Sequence, residues 1–560
     1  MKENKRGCGC AVTAVIVGLI LLVAGALVGW YLLGKYKPST ELADKGKLFG
    51  IKSGQVALVL DNELQDTKAI YEDNQVYLPV DWVNEYLNQR FYWDENEKLL
   101  VYALPDSIVY ADAGTMGSSG PLLKVKEDGA YLSLGLVTNY TDIRTEAFDT
   151  SQIKRVFIDT LWNPVPKAQA KRDGKLRARG GVKSPIITDV AKGDRLTVLD
   201  AMEKWSKVRT EDGYMGYIEN RRLEEQEPEP QLSTFEAPVY TNISLDEPVI
   251  LAFHQVFSQE ANNKFEELIE KTKGVNVVVP SWFVMTDNQG NYSSIASRDY
   301  VEKAHARGIQ VWAMLNNVST KESAAINTRE LMGSTSNRKK LIASLMEDAD
   351  NYGFDGINLD FEGLKAEAGP HYVQFIRELS VACRQKGLVL SVDNYVPSAY
   401  TNFYNRREQG TVADYVIIMG YDEHYAGGDA GSVASITYVE NGIKDTLTQV
   451  PKEKVINGVP FYTRVWTVQS GKTTSKAYGI SDAKKWVEDN QAQLIWDDAL
   501  GQYYAEVINA DGEQYIWMEE EESLGLKIDL IREYDLAGVA CWKLGFEPAD
   551  IWDVVNRVKE

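Results

Sequence analysis

Between residues 235 and 560, eight short apolar runs alternate with stretches of helical pattern. The runs read PVILAFHQVF, VNVVVPSWFVM, IQVWAML, GFDGINLDFE, LVLSVDNYV, DYVIIMGYD, VINGVPFY and LAGVACWKLG. Segments such as RDYVEKAHARG and AGPHYVQFIRELSVACRQKG fill the gaps between them. Strands separated by helices in this way build either a closed (β/α)8 barrel or an open doubly wound sheet. No run leads into a glycine-rich phosphate fingerprint, which argues against the open sheet. The stretch SGKTTSK at residues 470–476 lacks the upstream glycine and strand of a P-loop. The expected fold is therefore α/β, a TIM barrel over residues 235–560. An insertion at about 468–531 separates its last two strands. Its aromatic run LIWDDALGQYYAEV predicts a small β-rich lobe beside the barrel mouth.

The chain of 560 residues is too long for one core, so further domains are expected ahead of the barrel. The run AVTAVIVGLILLVAGALVGWYLL, residues 11–33, carries no charge and is long enough to span a bilayer. Lys2, Lys5 and Arg6 precede it, Lys35 and Lys37 follow, and Trp30 and Tyr31 suit a membrane interface. Residues 1–37 then read as a cytoplasmic tip and transmembrane helix, with the bulk of the chain outside the cell. A cleaved signal peptide, which would make the protein secreted, is the alternative; the apolar run is long for one.

Residues 50–165 contain an internal echo. EDNQVYLPVDWVNEYL resembles EDGAYLSLGLVTNY, and each copy is followed by an aromatic–Asp pair and a strand-like run. Two such units can bury each other's apolar faces in an α+β domain. Residues 170–223 alternate short β-rich runs with Gly and Asp turns, as in a small barrel. EEQEPEPQLS gives residues 224–234 the composition of an acidic, Pro-containing linker.

A net charge of −21 argues against a nucleic-acid partner, which would need a basic footprint. Cys8 and Cys10 precede the apolar run, and Cys383 and Cys541 lie far apart. Buried free thiols at the latter two are favoured over a bridge. His254, His305, His371 and His424 are scattered, so no metal site and no cofactor are expected.

Chemistry concentrates in FDGINLDFEG, residues 354–363, which places three acids among apolar neighbours. Buried carboxylates are costly unless paired or used. In a strand, Asn358, Asp360 and Glu362 share one face, while Ile357, Leu359 and Phe361 take the other. Glu362 comes last, at the carboxyl end where barrel active sites form. Two carboxyls this close do not both ionise easily, so one stays protonated near neutral pH, as a general acid requires.

DGINLDFE resembles the DxxDxDxE signature of family 18 glycoside hydrolases, the chitinase-like barrel enzymes, and is nearest to bacterial wall- and spore-associated members. MGYD at residues 419–422, GVPFYTRVW at 458–466 and CWKLG at 541–545 resemble further strand ends of that family. Asn358 departs from the signature, which has Asp there. The resemblance implies substrate-assisted retaining hydrolysis. Glu362 would be acid then base, Asp360 would steady the acetamido N–H, and Tyr421 would hold its carbonyl oxygen. Trp542 would floor the pocket. Asp355, Asn358, Met419, Asp422, Tyr462, Asn394, Tyr395 and Trp282 complete the expected substrate-binding set, with Asp355 more a buttress of the strand than a sugar contact. The GlcNAc-containing substrate would be peptidoglycan or a chitin-type polymer. The pieces KGDRLTVL, WSKVRTEDG and GYMGYI resemble a bacterial SH3-like domain, for which wall-peptide contact and a spacer role are equally open. The echo in residues 50–165 resembles the stalk-like N-terminal domain of copper amine oxidases, implying a spacer without copper. A non-catalytic carbohydrate-binding or adhesion protein on the same fold is the competing reading, and retention of Glu362 argues against it.

Overall fold

The computed structural model describes residues 8–149, 151, 153–318, 326–510 and 512–560. Its contacts divide the chain into two units, one of Met1–Phe91 with Ala111–Ala237, the other of Tyr92–Tyr110 with Pro238–Glu560.

In the first unit, helix Cys8–Tyr36 includes an apolar stretch, Val12–Tyr36, long and apolar enough to cross a bilayer. Its 25 residues rise about 37 Å at 1.5 Å each, more than the roughly 30 Å of a hydrocarbon core. Leu22 and Trp30 on it are 73% and 77% exposed, so no protein core explains its composition.

The internal echo appears as a local two-fold. Strands Gln75–Pro79 and Gly129–Ser133 pair antiparallel, and each leads directly into a seven-residue helix, Val80–Tyr86 or Leu134–Tyr140. Tyr77 opposes Ser133, Leu78 opposes Leu132 and Pro79 opposes Tyr131, so equivalent residues exchange places about the buried leucine pair. The copies then diverge. The strands after the second, Arg144–Phe148 and Arg155–Asp159, join the same seven-stranded sheet. Those after the first form a separate three-stranded sheet, Tyr92–Asp94, Leu99–Ala103 and Ile108–Ala111, which up to Tyr110 belongs to the second unit. Residues 50–165 therefore do not stay together as one domain.

The SH3-like region is a seven-stranded antiparallel sheet around Leu176, Ile187, Val190, Leu196, Val208 and Ile218. It corrects the expected linker at 224–234: Leu223–Glu229 is an edge strand paired with Val165–Ala170. An edge strand needs only its backbone bonds, so its Glu and Gln side chains stay in water and its composition reads as linker.

The second unit holds the barrel, with strands β1 (Val249–His254), β2 (Val277–Pro280), β3 (Gln310–Asn316), β4 (Gly356–Asp360), β5 (Val389–Tyr395), β6 (Tyr415–Met419), β7 (Val455–Pro460) and β8 (Gly538–Trp542). All neighbours pair parallel, and β8 closes onto β1 through Val249 opposite Gly538. Leu251, Val279, Trp312, Met314, Ile417 and Ile456 fill the interior. Ile357, Leu359 and Phe361 point to the layer between sheet and helices. The alternation read from β4 is thus the inside–outside alternation of a barrel strand. Cys383 and Cys541 are buried free thiols.

The lobe is a five-stranded antiparallel sheet starting at Tyr462, directly after β7, and ending at Trp517. Helix Ile480–Asp489 packs on it through Ala483 and Trp486. Helix Glu521–Glu533, expected inside the insertion, buries Leu524 and Ile528 in the barrel core instead.

The sheet formed by residues 92–111 grips the barrel helices. Asp94 Oδ2 accepts from the Thr335 N–H at 2.7 Å and its hydroxyl at 2.6 Å, and Glu97 Oε1 accepts from the Ser336 N–H at 2.7 Å. Both carboxylates thereby serve the open N-terminus of helix Thr335–Tyr352, where unpaired N–H groups and the helix dipole favour anions. Arg338 on that helix lies 4.6 Å over the Tyr92 ring and pairs with Glu378 at 2.8 Å, both side chains fully buried.

Candidate active site

The cleft opens at the carboxyl end of the barrel strands, with a volume of about 120 Å³. β4 supplies its acids. Asn358 and Asp360 project inward and are buried, and Glu362 follows at the rim, partly exposed. Glu362 is fixed from two sides. Asn317, just past β3, clamps its backbone, with Oδ1 accepting from the Glu362 N–H and Nδ2 donating to its carbonyl, both at 2.8 Å. Tyr395, at the end of β5, donates its hydroxyl to Glu362 Oε2 at 2.9 Å. Burial raises the Glu362 pKa, the Tyr395 hydrogen bond pulls it back, and the charge of Asp422 raises it further.

Asp393 on β5 is the carboxyl that sequence reasoning missed. It is buried, and its Oδ1 accepts from Asn358 Nδ2 at 2.9 Å; that amide also donates to Ser391 Oγ at 3.1 Å. Burial, and then the charge of Asp360, push Asp393 well above the carboxylate range, against the Asn358 hydrogen bond. Asp360 rises to about 8, through burial first and the charge of Glu362 second. Asn358 thus turns its amide to Asp393. Its Oδ1 and Asp360 Oδ1 are buried without a hydrogen-bond partner. A proton resident on these carboxyls at neutral pH relieves what three ionised neighbours would cost.

The walls are aromatic. Tyr421, Met419 and Trp542 line the cleft, and the Trp542 ring lies 5.3 Å from Phe253 of β1, another residue that sequence reasoning passed over. Asp422 lines it as well and accepts a hydrogen bond from the Tyr462 hydroxyl; the Tyr462 ring stands edge-on to Tyr421 at 6.3 Å. Glu362, Asp360, Tyr421, Tyr395, Met419, Asp422 and Trp542 therefore meet around one cavity, with Asn358 beneath it and Tyr462 behind Asp422.

Three expected substrate contacts lie elsewhere. Asp355 precedes β4 at the opposite end of the barrel, where Oδ2 accepts from the Val311 N–H and pairs with His305 Nε2, both at 2.8 Å. It braces the start of β4 against β3 and does not line the cleft. Asn394 has the outward parity of β5 and exchanges hydrogen bonds with Gln409. Trp282 is 1% exposed, with its indole N–H on Asn262 and its ring against Tyr300. The signal for Asp393 was parity: Ser391, Asp393 and Tyr395 share a face, so Tyr395 in the cleft implies Asp393 below it.

Residues 214–547 match the sequence model of the family described as Glycosyl hydrolases family 18, and residues 173–224 match the bacterial SH3 domain. The cortical fragment-lytic enzyme of Bacillus subtilis is 28% identical over 245 residues, 41% of this chain and 57% of that protein, so this chain spans little more than half of that relative. The glycosylase YvbX of the same organism is 25% identical over 292 residues, 50% of this chain and 84% of that one. Among solved structures, a chitinase from Chromobacterium violaceum superposes with a TM-score of 0.50 at 25% identity, covering 56% of this chain and 98% of its own. The spore cortex-lytic enzyme SleL of Bacillus megaterium, 19% identical with a TM-score of 0.50, shares the fold over 59% of this chain and 78% of its own. With a closed eight-stranded barrel, carboxyls at the end of β4 and a family match over more than half its length, the chain belongs to glycosyl hydrolase family 18.

Proposed function

We propose that the protein is a membrane-anchored extracellular glycoside hydrolase that cleaves β-1,4 bonds next to N-acetylglucosamine, with retention of configuration. The observation that carries this reading is geometric: Asp360 and Glu362, at the end of β4, line one cleft together with Tyr421 and Trp542. Burial raises the Glu362 pKa, the direction a general acid needs.

The substrate's acetamido oxygen attacks the anomeric carbon as the glycosidic C–O bond breaks, and Glu362 gives its proton to the leaving oxygen. The resulting oxazolinium ion is positively charged. That charge favours ionised Asp360 against the acetamido N–H, with the shared proton on Asp393. Tyr421 orients the acetamido carbonyl and Trp542 supports the ring, an apolar face that also excludes water. Glu362, now a carboxylate, takes a proton from water, whose oxygen attacks the anomeric carbon and reopens the intermediate.

Peptidoglycan is the favoured polymer, with chitin-type chains second. The apolar helix Cys8–Tyr36 would hold the chain at the cell surface, and the SH3-like sheet would contact wall peptide or, like the repeat region, act as a spacer. Relatives named for cortex lysis support the wall reading. Digestion of purified peptidoglycan and of GlcNAc oligomers, with the new reducing end identified by mass spectrometry, tests the proposal. GlcNAc at the new reducing end supports it; no cleavage of either polymer overturns it.

A further inference from the structure

We infer that Lys543 is a carboxylate-recognition site at the rim of the cleft, selecting N-acetylated glycans that carry an acidic group beside the reacting sugar. The inference rests on the glycosidase reading above and narrows its substrate class.

Lys543 directly follows Trp542, which lines the cleft. Its Nζ donates to Gln255 Oε1 at 2.7 Å and lies 4.4 Å from the centre of the Phe546 ring. Gln255 follows β1 with the parity of Phe253, itself a cleft residue, so the ammonium sits where β8 and β1 meet at the barrel mouth. It is half-buried, and among the described residues it has no carboxylate within ion-pair distance. Burial alone pulls its pKa down, with no carboxylate raising it again. Glu547, the nearest acid in sequence, is committed to the Phe546 N–H at 3.0 Å and the Trp552 indole at 3.1 Å. By contrast Lys527, fully buried in the same unit, is paired with Glu519 at 3.0 Å.

An ammonium has three donors, and one neutral acceptor leaves two unfilled. Holding a partly desolvated cation without a counter-charge costs stability, which an incoming anion would return. The need for such a cation is local. The cleft is lined by the acids Asp360, Glu362, Asp393 and Asp422 and by no Lys or Arg, so an acidic glycan finds a counter-charge only if a cation stands at the rim. A neutral GlcNAc polymer has no use for one. Carboxylates on a wall glycan have two sources, the lactyl ether of a muramic-type sugar and the stem peptide attached to it. Both offer the same group to Lys543.

The test uses the full chain and its Lys543→Gln and Lys543→Arg variants on three substrates: neutral GlcNAc oligomers, peptide-free GlcNAc–muramic oligosaccharides, and peptide-bearing glycan strands. Lys543→Gln is expected to lower kcat/KM about tenfold on a carboxylate-bearing substrate, mainly through KM, with Lys543→Arg retaining it. Turnover of neutral oligomers stays unchanged. Loss on the peptide-free glycan assigns the lactyl carboxylate; loss confined to peptide-bearing strands assigns the stem. Equal losses on neutral and acidic substrates, or no loss on any, overturn the recognition role. A wild-type chain inactive on all three would instead overturn the glycosidase reading.

Discussion

The hydroxyl of Tyr395 donates to Oε2 of Glu362 at 2.9 Å while accepting the N–H of Gly363 at 3.1 Å. One group thus ties the side chain of the proposed acid to the backbone that follows it. Donation to the ionised carboxylate holds the Glu362 pKa down. Tyr395→Phe removes that donor, so Glu362 keeps its proton to higher pH. The basic limb of kcat/KM should move up by about half to one pH unit. A pH–rate profile checks this, and an unmoved basic limb contradicts it.

Asn358 makes a complementary case. Its amide donates to Asp393 at 2.9 Å, and it stands where the family signature has Asp. Asn358→Asp removes that donor and adds a fourth acid beside Asp393, Asp360 and Glu362. Both changes disfavour ionisation of the neighbours, so the basic limb should again rise, by about one unit. A profile displaced to lower pH would show that Asn358 does not govern the proton on this group.

The buried carboxyls also set a pH dependence of stability. Asp393 is raised in the folded protein, so the native state binds its proton more tightly than the unfolded chain does. The stability this contributes is complete below the unfolded pKa, near 4, and is lost as pH rises through the native value. Asp393→Asn abolishes the titration and keeps a side-chain acceptor for Asn358. Its stability relative to the parent should therefore grow from pH 4.5 to pH 8.5, on the order of 1–3 kcal/mol. Chemical denaturation at the two pH values measures it, and a pH-independent difference contradicts the assignment.

Asp94 ties the 92–111 sheet to the barrel from within its own unit. It is 1% exposed and accepts from both the N–H and the hydroxyl of Thr335. Asp94→Ala should cost about 2 kcal/mol, by unsatisfying a buried helix N-terminus. The pH–rate profile should not change. Thermal unfolding and kinetics on one preparation separate the effects; an unchanged melting temperature contradicts the structural role.

Much of this site was legible because β4 obeys strict alternation. Asn358 and Asp360 face inward as their parity requires, and Glu362 ends at the mouth. Parity failed where it was not applied. Asn394 looked suitable as a strand-end polar residue, yet its outward face meets Gln409, and Asp393 one position earlier supplies the inward carboxyl. Asp355 shares the acidic run, but a five-residue strand separates it from the mouth. The grip of Asp94 on Thr335 was invisible, since the partners are 241 positions apart in sequence and neither shows a local signal of the other. The edge strand Leu223–Glu229 was hidden by its composition, because pairing at a sheet edge is decided by backbone.

Glu362→Gln tests the central claim most directly. The amide keeps the shape and the Tyr395 contact but carries no transferable proton. Hydrolysis of a GlcNAc-containing oligomer should fall by about a thousandfold or more, while calorimetric binding of the same oligomer stays within a few-fold of the parent. Turnover within about tenfold of the parent at equal binding would contradict the assignment of Glu362 as the acid.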